Sequence, residues 1–308
     1  MARRRLIVVP SYVRDALPAD LPDVVELDEG GTLEAAEFED AAFYVRAYYA
    51  SRRDGEILAR MPRLEVVQTL TAGVDDVLPY LPQGVTLCNA AGVHDASTAE
   101  LAVGLMIAMQ RGIHEYRDRQ HEGEWRHEFR PALADSRVLV IGAGRIASAI
   151  VRRLEPFEVH IDRIGRTART DELGAVHNMT ALDGLLPHAD IVSLIVPLTP
   201  ETTGLVDARF LARMKPGALL VNTARGGVVD TPALLEALEA GRVRAALDVT
   251  DPEPLPADHP LWRAPNCLIT PHIGGDTSAF LPRAKRLVAA QVSRWLQGEP
   301  LEHRMTRA

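Results

Sequence analysis

Three residues of complementary chemistry, Arg225, Glu253 and His272, each follow a short apolar run that is typical of a β-strand. Ligands of an open parallel sheet bind beyond the carboxyl ends of its strands, so these side chains are expected to converge. Histidine has an ordinary pKa near neutral pH and can exchange protons, and a hydrogen-bonded carboxylate favours its charged form. An arginine holds a carboxylate with two parallel hydrogen bonds. The three residues therefore fit proton exchange on a small bound acid.

Each of these residues also has an ordinary structural explanation when it is taken alone. Arg225 fits a solvated loop, Glu253 a charge in a proline-rich turn, and His272 a hydrogen-bonded core histidine. Their positions after three separate strand ends favour the chemical interpretation, because one shared edge of a sheet then accounts for all three.

A glycine turn lies between a strand and a helix in residues 138–153. Apolar residues typical of a buried strand precede the break Gly142-Ala-Gly144, and Ile146 and Ile150 then begin an apolar repeat with helical spacing. A helix that starts there directs unpaired amide N–H groups and the positive end of its dipole over the turn, which suits a pyrophosphate. A turn that serves packing alone is the alternative.

Apolar runs alternate with helical stretches along the chain, which predicts an α/β fold of two doubly wound parallel sheets. Residues 97–277 contain the glycine turn and are predicted to form the larger, Rossmann dinucleotide-binding domain. The smaller, flavodoxin-like domain is predicted to be discontinuous, with residues 1–96 and 278–308, and its amphipathic C-terminal helix at 277–297 is expected to dock onto a core. The predicted strands are 6–9, 24–27, 42–45, 66–69, 86–88, 138–141, 159–164, 191–196, 218–222, 243–248 and 267–270.

Capping residues mark the start of two predicted helices. Ser97 and Glu100 have the spacing of a capping box before the apolar run 101–109, which predicts a long buried helix. Thr231 is the expected N-cap of another helix, with Pro232 at its first position. Further helical stretches are expected at 55–60 and 75–80.

Four motifs together resemble the D-isomer-specific 2-hydroxyacid dehydrogenases over nearly the whole chain. They are, in order, the glycine turn at Gly142, Asn222-Thr-Ala-Arg-Gly-Gly227, Asp248 with Asp251-Pro-Glu-Pro254, and Thr270-Pro-His-Ile-Gly-Gly275. This family includes glyoxylate/hydroxypyruvate reductases and phosphoglycerate dehydrogenases. The resemblance implies that Arg225 holds the substrate carboxylate and polarises the carbonyl, that His272 exchanges the proton, and that Glu253 orients His272.

The resemblance also implies a set of binding residues. Gly73 and Val74 are expected to bind the substrate carboxylate through their backbone amides, together with Arg225. Tyr48 is expected either to cap the substrate pocket or to serve packing. The expected cofactor contacts are Gly142, Gly144, Arg145, Ile146, Arg166, Thr167, Pro197, Thr199, Thr203, Thr223, Ala224, Asp248, His272 and Gly274.

Two positions depart from the family pattern. Ala147 replaces the third glycine of the turn and adds a methyl group where helix and strand pack closely. Thr250 stands where a larger aromatic residue is expected, so the pocket near the nicotinamide is expected to have a different shape.

The predicted cofactor is a nicotinamide dinucleotide, with NADP preferred over NAD. An acidic residue at the end of the second strand of such a domain accepts the ribose hydroxyls of NAD. Asp162 lies twenty residues after Gly142, but it falls in the middle of its strand-like run. The strand end is instead Gly165-Arg166-Thr167-Ala168-Arg169, and arginines there suit the 2′-phosphate of NADP.

The expected activity is that of an NAD(P)-dependent 2-hydroxyacid dehydrogenase, or 2-oxoacid reductase, that acts on a small acid such as glyoxylate or hydroxypyruvate. Two other interpretations use the same scaffold. One is a dinucleotide-sensing interaction protein, like the corepressors that can retain the three residues. The other is a dehydrogenase of another anion, such as phosphite or 3-phosphoglycerate.

Composition narrows the remaining possibilities. The 308 residues are 47% hydrophobic and carry a net charge of -8, which predicts globular domains and argues against nucleic acid as a partner. The apolar run after the basic start is too short for a signal peptide or a membrane span. Cys88 and Cys267 are expected to be free thiols, which favours a cytoplasmic location.

Metal and partner expectations come from the segment after the long helix. No pair among His114, His121 and His127 has the spacing of a helical zinc site, so no metal is expected. The family resemblance implies a homodimer, with residues 101–129 as the candidate contact region.

Overall fold

The computed structural model describes residues 4–28, 30–50 and 52–305. The chain divides into two compact units, Met1–His94 with Ser278–Ala308, and Asp95–Thr277. The sequence predicts the first domain boundary after residue 96. In the structure the first unit ends at His94, two residues earlier. The assignment of a substrate role to one unit and a cofactor role to the other stays a prediction.

The strands of the described residues are numbered in chain order. They are β1 Leu6–Val9, β2 Val24–Glu26, β3 Ala41–Arg46, β4 Val66–Thr69, β5 Thr86–Cys88, β6 Arg137–Ile141, β7 His160–Ile164, β8 Arg169–Asp171, β9 Gly174–Val176, β10 Ile191–Leu194, β11 Leu219–Asn222, β12 Arg244–Leu247, β13 Cys267–Ile269 and β14 Arg304–Met305.

The α-helices of the same residues are numbered in the same way. They are α1 Ser11–Arg14, α2 Ala35–Asp40, α3 Asp95–Arg111, α4 Ile113–Glu122, α5 Arg145–Leu154, α6 Leu182–Leu185, α7 Ala208–Arg213, α8 Thr231–Glu239 and α9 Phe280–Gln297. Turns of 3₁₀-helix occupy Arg52–Arg60, Leu78–Tyr80, Glu155–Phe157, Met179–Ala181, Leu186–His188, Gly226–Val228 and Pro260–Arg263.

The first unit contains a six-stranded sheet in the order β2-β1-β3-β4-β5-β14, in which β14 alone among these described strands is antiparallel to its neighbour. Alternate side chains of the buried strands enter two apolar layers. Phe43 packs with Trp295 of α9 on one face, and Tyr44 lies in the layer on the other face. The order of the first five strands is that of flavodoxin-like folds, as predicted.

The second unit contains a six-stranded parallel sheet in the order β7-β6-β10-β11-β12-β13. Val138 and Val140 face the layer of α3 and α5, and Leu139 and Ile141 face the layer of α7 and α8. The chain order reverses between β6 and β10, and ligands of open α/β sheets bind at such a reversal. The predicted fold class, with a Rossmann-type dinucleotide-binding sheet, is confirmed.

Several local predictions differ from the structure at their boundaries. Helix α3 begins at Asp95, so Ser97 lies inside the helix and is buried instead of capping it. Asp230 caps α8, because its carboxylate accepts the amide of Ala233 at 3.1 Å. The hydroxyl of Thr231 instead donates to the carbonyl of Asp251 at 2.9 Å. No helix of the described residues has the length and hydropathy needed to cross a membrane.

Candidate active site

The glycine turn forms the strand, turn and helix start expected from the sequence. Gly142 follows β6 with a φ of 126°, a conformation that favours glycine, and a Cβ atom there would lie 2.2 Å from the carbonyl oxygen of Ile195. Gly144 is the N-cap residue of α5, with no side-chain cap, and a Cβ atom there would meet nothing within 4 Å. The first amides of α5 therefore have no side-chain cap and lie beside open space.

The start of α5 is held to the start of α3. The guanidinium Nε of Arg145 donates to the carboxylate of Asp95 at 2.9 Å. Ile146 is half-buried, and the methyl group of Ala147 is fully packed in the apolar layer beside β6. The absence of the third glycine is therefore compatible with close packing of helix and strand.

The loop after β11 carries Arg225 and is closed by Asn222. The buried amide side chain of Asn222 accepts from the Ala224 N–H at 3.0 Å and donates to the Arg225 carbonyl at 3.0 Å. The hydroxyl oxygen of Thr223 is buried and has no hydrogen-bond partner among the described residues. An unpaired buried hydroxyl is costly, and a bound ligand can supply the missing partner.

The loops after β11 and β12 touch at Gly226. A Cβ atom at Gly226 would lie 1.9 Å from the carbonyl oxygen of Thr250, so only glycine permits this approach. The hydroxyl of Thr250 donates to the carbonyl of Pro252 at 2.9 Å. These contacts hold the segment of Glu253 against the Arg225 loop. The small side chain of Thr250 thus stabilises the turn that contains Pro252.

Asp248 fixes the loop that carries His272. Its carboxylate is 2% exposed and accepts from the Thr270 hydroxyl at 2.6 Å, the Ile273 amide at 2.9 Å and the Gly274 amide at 2.9 Å. The His272 amide donates to the Asp248 carbonyl at 2.7 Å, and His272 has a φ of 54°. The resemblance placed Asp248 only among cofactor contacts, and the structure adds this positioning role.

The imidazole of His272 is paired with the carboxylate of Glu253. Nδ1 of His272 and Oε1 of Glu253 lie 2.5 Å apart, closer than in an ordinary hydrogen bond, and the two groups form an ion pair when the imidazole is protonated. Both side chains are partly exposed. The other ring nitrogen of His272, Nε2, does not contact Glu253.

The charges of the three residues act on one another. The hydrogen bond with Glu253 raises the pKa of His272 above its ordinary value, while desolvation and the charge of Arg225 oppose that rise. Burial disfavours ionisation of Glu253, but the hydrogen bond and charge of His272, with Arg225, hold the pKa of Glu253 below its ordinary value. The structure therefore brings the predicted cation, carboxylate and imidazole into one electrostatic group.

The loop after β10 carries three predicted cofactor contacts and is held by threonine hydroxyls. Thr202 donates to the Pro197 carbonyl at 2.6 Å and accepts from the Thr199 amide at 2.8 Å. The Thr203 hydroxyl donates to the Thr199 carbonyl at 2.8 Å. The sequence did not single out Thr202, although its position in a short Thr-rich turn is a signal for such hydrogen bonding.

Asp162 lies inside β7, opposite Leu139 of β6, and not at the strand end. Arg166 and Thr167 follow β7 as exposed residues, with Gly165 buried between strand and loop. The geometry thus places an arginine, rather than an acid, directly beyond the second strand of this sheet.

The predicted substrate residues of the first unit lie in a tied loop after β4 and at the end of β3. The Thr71 hydroxyl donates to the Gly73 carbonyl at 2.7 Å, and no described group accepts from the amides of Gly73 and Val74. The ring of Tyr48 packs against Phe280 with centroids 4.4 Å apart, which fits its packing alternative. Their substrate roles stay predictions.

Residues 103–274, more than half of the chain, match the family described as D-isomer specific 2-hydroxyacid dehydrogenase, NAD binding domain. The chain belongs to this family. The match confirms the predicted enzyme class, which is that of NAD(P)-dependent oxidoreductases acting on 2-hydroxy acids.

Known relatives extend the similarity beyond that domain. Glyoxylate reductase of Thermofilum pendens is 38% identical over 257 residues, which are 80% of this chain and 76% of that protein. D-3-phosphoglycerate dehydrogenase of Mycobacterium bovis is 36% identical over 307 residues, 96% of this chain, and this chain spans only 57% of that protein. A crystal structure of a D-isomer specific 2-hydroxyacid dehydrogenase from Xanthobacter autotrophicus Py2 in complex with NADPH and MES has a TM-score of 0.84 at 30% identity, and 98% of each chain is covered.

The residues of this dehydrogenase fit a nicotinamide dinucleotide. The open space at Gly144, the uncapped start of α5 and the unpaired hydroxyl of Thr223 are places where phosphate and sugar oxygens find donors. Among residues 4–28, 30–50 and 52–305 there is no group of three or more His, Cys, Asp or Glu side chains arranged to hold a metal ion.

Replacing Glu253 with glutamine tests the electrostatic pairing directly. In Glu253→Gln the pKa of His272 is expected to fall toward its ordinary value of about 6.5, because the anion that favours the imidazolium is gone. The measurement is an NMR titration of the His272 ring, assigned with the spectrum of His272→Ala. An unchanged pKa would show that the contact does not control protonation.

The same pair makes stability depend on pH. Folding raises the pKa of His272. The pair therefore contributes fully to the free energy of unfolding below about pH 6.5, where His272 is protonated in both states. This contribution is lost as the pH rises through the raised pKa of the folded state. The free energy of unfolding of the parent, relative to Glu253→Gln, is therefore expected to decrease over that interval in denaturant titrations. A difference that stays constant with pH would contradict this linkage.

Proposed function

We propose that this dehydrogenase reduces a small 2-oxo acid such as glyoxylate or hydroxypyruvate, with NADP preferred over NAD. The observation that carries the proposal is the 2.5 Å hydrogen bond between His272 and Glu253 next to the Arg225 loop. This arrangement keeps a transferable proton on an imidazole beside a cation that can hold a carboxylate. The name of the Thermofilum pendens relative supports glyoxylate as a substrate.

Reduction of a 2-oxo acid adds a hydride to the carbonyl carbon and a proton to the carbonyl oxygen. The bound nicotinamide cofactor supplies the hydride. Nε2 of protonated His272 gives the proton, and Glu253 holds the imidazolium in place and favours its charged form. The guanidinium of Arg225 binds the substrate carboxylate and draws electron density from the adjacent carbonyl. The product is the 2-hydroxy acid, and the reverse reaction returns the proton to His272.

The amides of Gly73 and Val74 are proposed to bind the same carboxylate. They have no acceptor among the described residues, and the Thr71 hydrogen bond holds their loop in shape. Tyr48 is proposed to shape the substrate pocket through its position after β3. The cofactor contacts predicted from the sequence are part of the proposal, with Asp248 acting also through the His272 loop.

Purified enzyme mixed with NADPH and glyoxylate, hydroxypyruvate or pyruvate is expected to oxidise the cofactor, measured as loss of absorbance. His272→Ala is expected to lower kcat/KM by about 10²- to 10⁴-fold, because no other group then delivers the proton. His188→Ala is the matched control, since His188 is an exposed histidine of the same unit. Full activity of His272→Ala would refute the assignment.

A second candidate is a dehydrogenase of 3-phosphoglycerate. The identity of 36% over 96% of this chain with the Mycobacterium bovis enzyme favours it. The same assay with 3-phosphohydroxypyruvate separates the two substrates by kcat/KM. Cofactor binding without turnover of any oxo acid would favour the sensor interpretation instead.

The NADP preference is supported by the position of Arg166 beyond β7 and by the NADPH complex of the Xanthobacter autotrophicus relative. Arg166→Asp is expected to shift the ratio of kcat/KM values from NADPH toward NADH by at least about tenfold, because a carboxylate repels the 2′-phosphate. Arg209→Asp, an exposed arginine in α7, is the control for charge reversal on the surface. A parent enzyme with the higher specificity constant for NADH would refute the preference.

A homodimer is proposed through the segment that follows α4. Trp125 and Phe129 are 98% and 107% exposed, although large aromatic side chains are usually covered. Arg130 pairs with Glu115 and Glu128, which holds the segment on α4 and makes it a rigid surface for a second copy.

The double variant Trp125→Ser/Phe129→Ser is expected to be monomeric in analytical ultracentrifugation, where the parent is dimeric, because the apolar contact area is lost. Trp262→Ser is the control, since Trp262 is a partly exposed tryptophan elsewhere in the same unit. A monomeric parent would contradict the proposal.

A cytoplasmic location is also proposed. Cys88 and Cys267 are free, and burial raises the pKa of the Cys88 thiol to about 11 and of the Cys267 thiol to about 12. Unpaired protonated thiols are usual in proteins of reducing compartments and support this location.

A further inference from the structure

A β-hairpin that the sequence patterns did not indicate lies directly after the second strand of the nucleotide-binding sheet. It consists of β8 and β9, which pair antiparallel with Arg169 opposite Val176 and Asp171 opposite Gly174. The loop between β7 and this hairpin contains Arg166 and Thr167. The hairpin therefore borders the residues to which the NADP preference is assigned.

The hairpin is tied to β7 by an ion pair between a buried arginine and a carboxylate that is 28% exposed. The guanidinium of Arg163 is 2% exposed, and its Nη1 and Nη2 donate to Oδ1 and Oδ2 of Asp171 at 2.6 Å and 2.8 Å. The Leu173 amide also donates to Oδ1 of Asp171 at 2.9 Å. A guanidinium at this depth is strongly destabilising without an anion, so the geometry of the hairpin depends on Asp171.

Backbone contacts join the same elements. The Gly165 amide donates to the His177 carbonyl, and the His177 amide donates to the Arg163 carbonyl, both at 2.8 Å. A Cβ atom at Gly165 would lie 2.9 Å from the Cβ of Ala143 and 3.0 Å from a methyl group of Val176. The start of the loop after β7, at Gly165, is therefore enclosed between the glycine turn and β9.

A second arginine ties the hairpin to the glycine turn itself. Nη2 of Arg169 donates to the Ala143 carbonyl at 2.7 Å, and Nε of Arg169 lies 3.9 Å from Oδ2 of Asp171. The turn of the hairpin is also paired with α5 through Glu172 and Arg152. The bonds to Arg163 and to the Ala143 carbonyl thus fix the hairpin to β7 and to the glycine turn, whereas the Glu172–Arg152 pair is exposed to solvent and contributes little.

The loop that these connections hold presents two side chains to solvent. Arg166 and Thr167 are exposed and donate no side-chain hydrogen bond to a described residue. The charge of Arg166 acts on Glu201, whose pKa is held below its ordinary value first by a hydrogen bond from Thr199 and further by Arg166. Arg166 follows the carboxyl end of β7, and the loop after β10 follows the carboxyl end of a strand of the same parallel sheet, so both lie at the edge where the predicted cofactor residues lie.

We infer that Asp171 is a positioning residue for cofactor specificity, which acts through Arg163 and Arg169 to hold Arg166 in place for the 2′-phosphate of NADP. The inference rests on the proposed NADP preference. A loop ordered before binding loses less conformational freedom when it contacts the phosphate, and the gain applies to the ligand that carries the phosphate. NADH and NADPH share every other group, so their affinity ratio isolates this effect.

The test measures dissociation constants of NADPH, NADH, 2′,5′-ADP and 5′-AMP by calorimetry for the parent and Asp171→Asn. The variant is expected to bind NADPH and 2′,5′-ADP about tenfold more weakly, while NADH and 5′-AMP change by less than about twofold. Glu172→Gln is the matched control, because it removes a surface ion pair of the same hairpin. That control is expected to leave all four constants within about twofold of the parent.

Equal weakening of NADPH and NADH in Asp171→Asn would overturn the inference, because it would show a merely structural role. Unchanged binding of all four ligands would overturn it as well. If Asp171→Asn does not fold, as judged by its melting temperature, Arg163→Lys serves instead, since it keeps the charge but loses the double hydrogen bond. Arg163→Lys is expected to change the ratio of the NADPH and NADH dissociation constants in the same direction as Asp171→Asn.

The parent protein and Arg166→Ala separate this inference from the proposal on which it rests. Tighter binding of NADH than of NADPH by the parent refutes the NADP preference. If the ratio of the NADPH and NADH dissociation constants changes in Arg166→Ala but not in Asp171→Asn, the NADP preference stands and the positioning role of Asp171 is refuted.

Discussion

The buried carboxylate of Asp248 joins the end of β12 to the segment that leaves β13, and the geometry of the proposed catalytic group depends on it. A carboxylate that is 2% exposed requires donors for both oxygens. The Thr270 hydroxyl and the amides of Ile273 and Gly274 supply them, from both sides of His272 along the chain. Satisfying this one group therefore sets the backbone path through His272 and brings its ring to Glu253.

Steric contacts between backbones complete the arrangement. Gly226 lets the Arg225 loop approach the carbonyl of Thr250, and the Thr231 hydroxyl holds the carbonyl of Asp251. Both contacts hold the turn that contains Glu253. The groups proposed to react are thus positioned mainly by backbone hydrogen bonds and close packing, which tolerate little displacement.

Charges dominate at the glycine turn and at the strand next to it. The start of α5 has no side-chain cap and offers amide donors, while Arg145 is held by Asp95 and Arg169 by the Ala143 carbonyl. The exposed Arg166 lies in the loop between β7 and β8. The amides at the start of α5 are thus proposed to bind the part that NAD and NADP share, and the arginine loop is proposed to bind the 2′-phosphate that distinguishes them.

Eleven of the fourteen described strands, the glycine turn and the family were predictable from the sequence. β1, β4 and β5 have the predicted bounds, and the fold class and the oxidoreductase class are confirmed. These features were predictable because buried strands, Gly-x-Gly turns and motifs after strand ends are local patterns of residue type. The roles of Arg225, Glu253 and His272 stay predictions, although the structure brings the three together.

The pairing of polar groups could be read from the folded chain alone. The tertiary structure selected Asp230 over Thr231 as the cap of α8, moved the start of α3 to Asp95, gave Asp248 its donors and formed the hairpin held by Arg163 and Asp171. Sequence spacing records residue types along one line, whereas a hydrogen bond depends on distance and angle after folding. The residues proposed to do the chemistry could therefore be picked out in the sequence, whereas the hydrogen bonds that hold them in place could not.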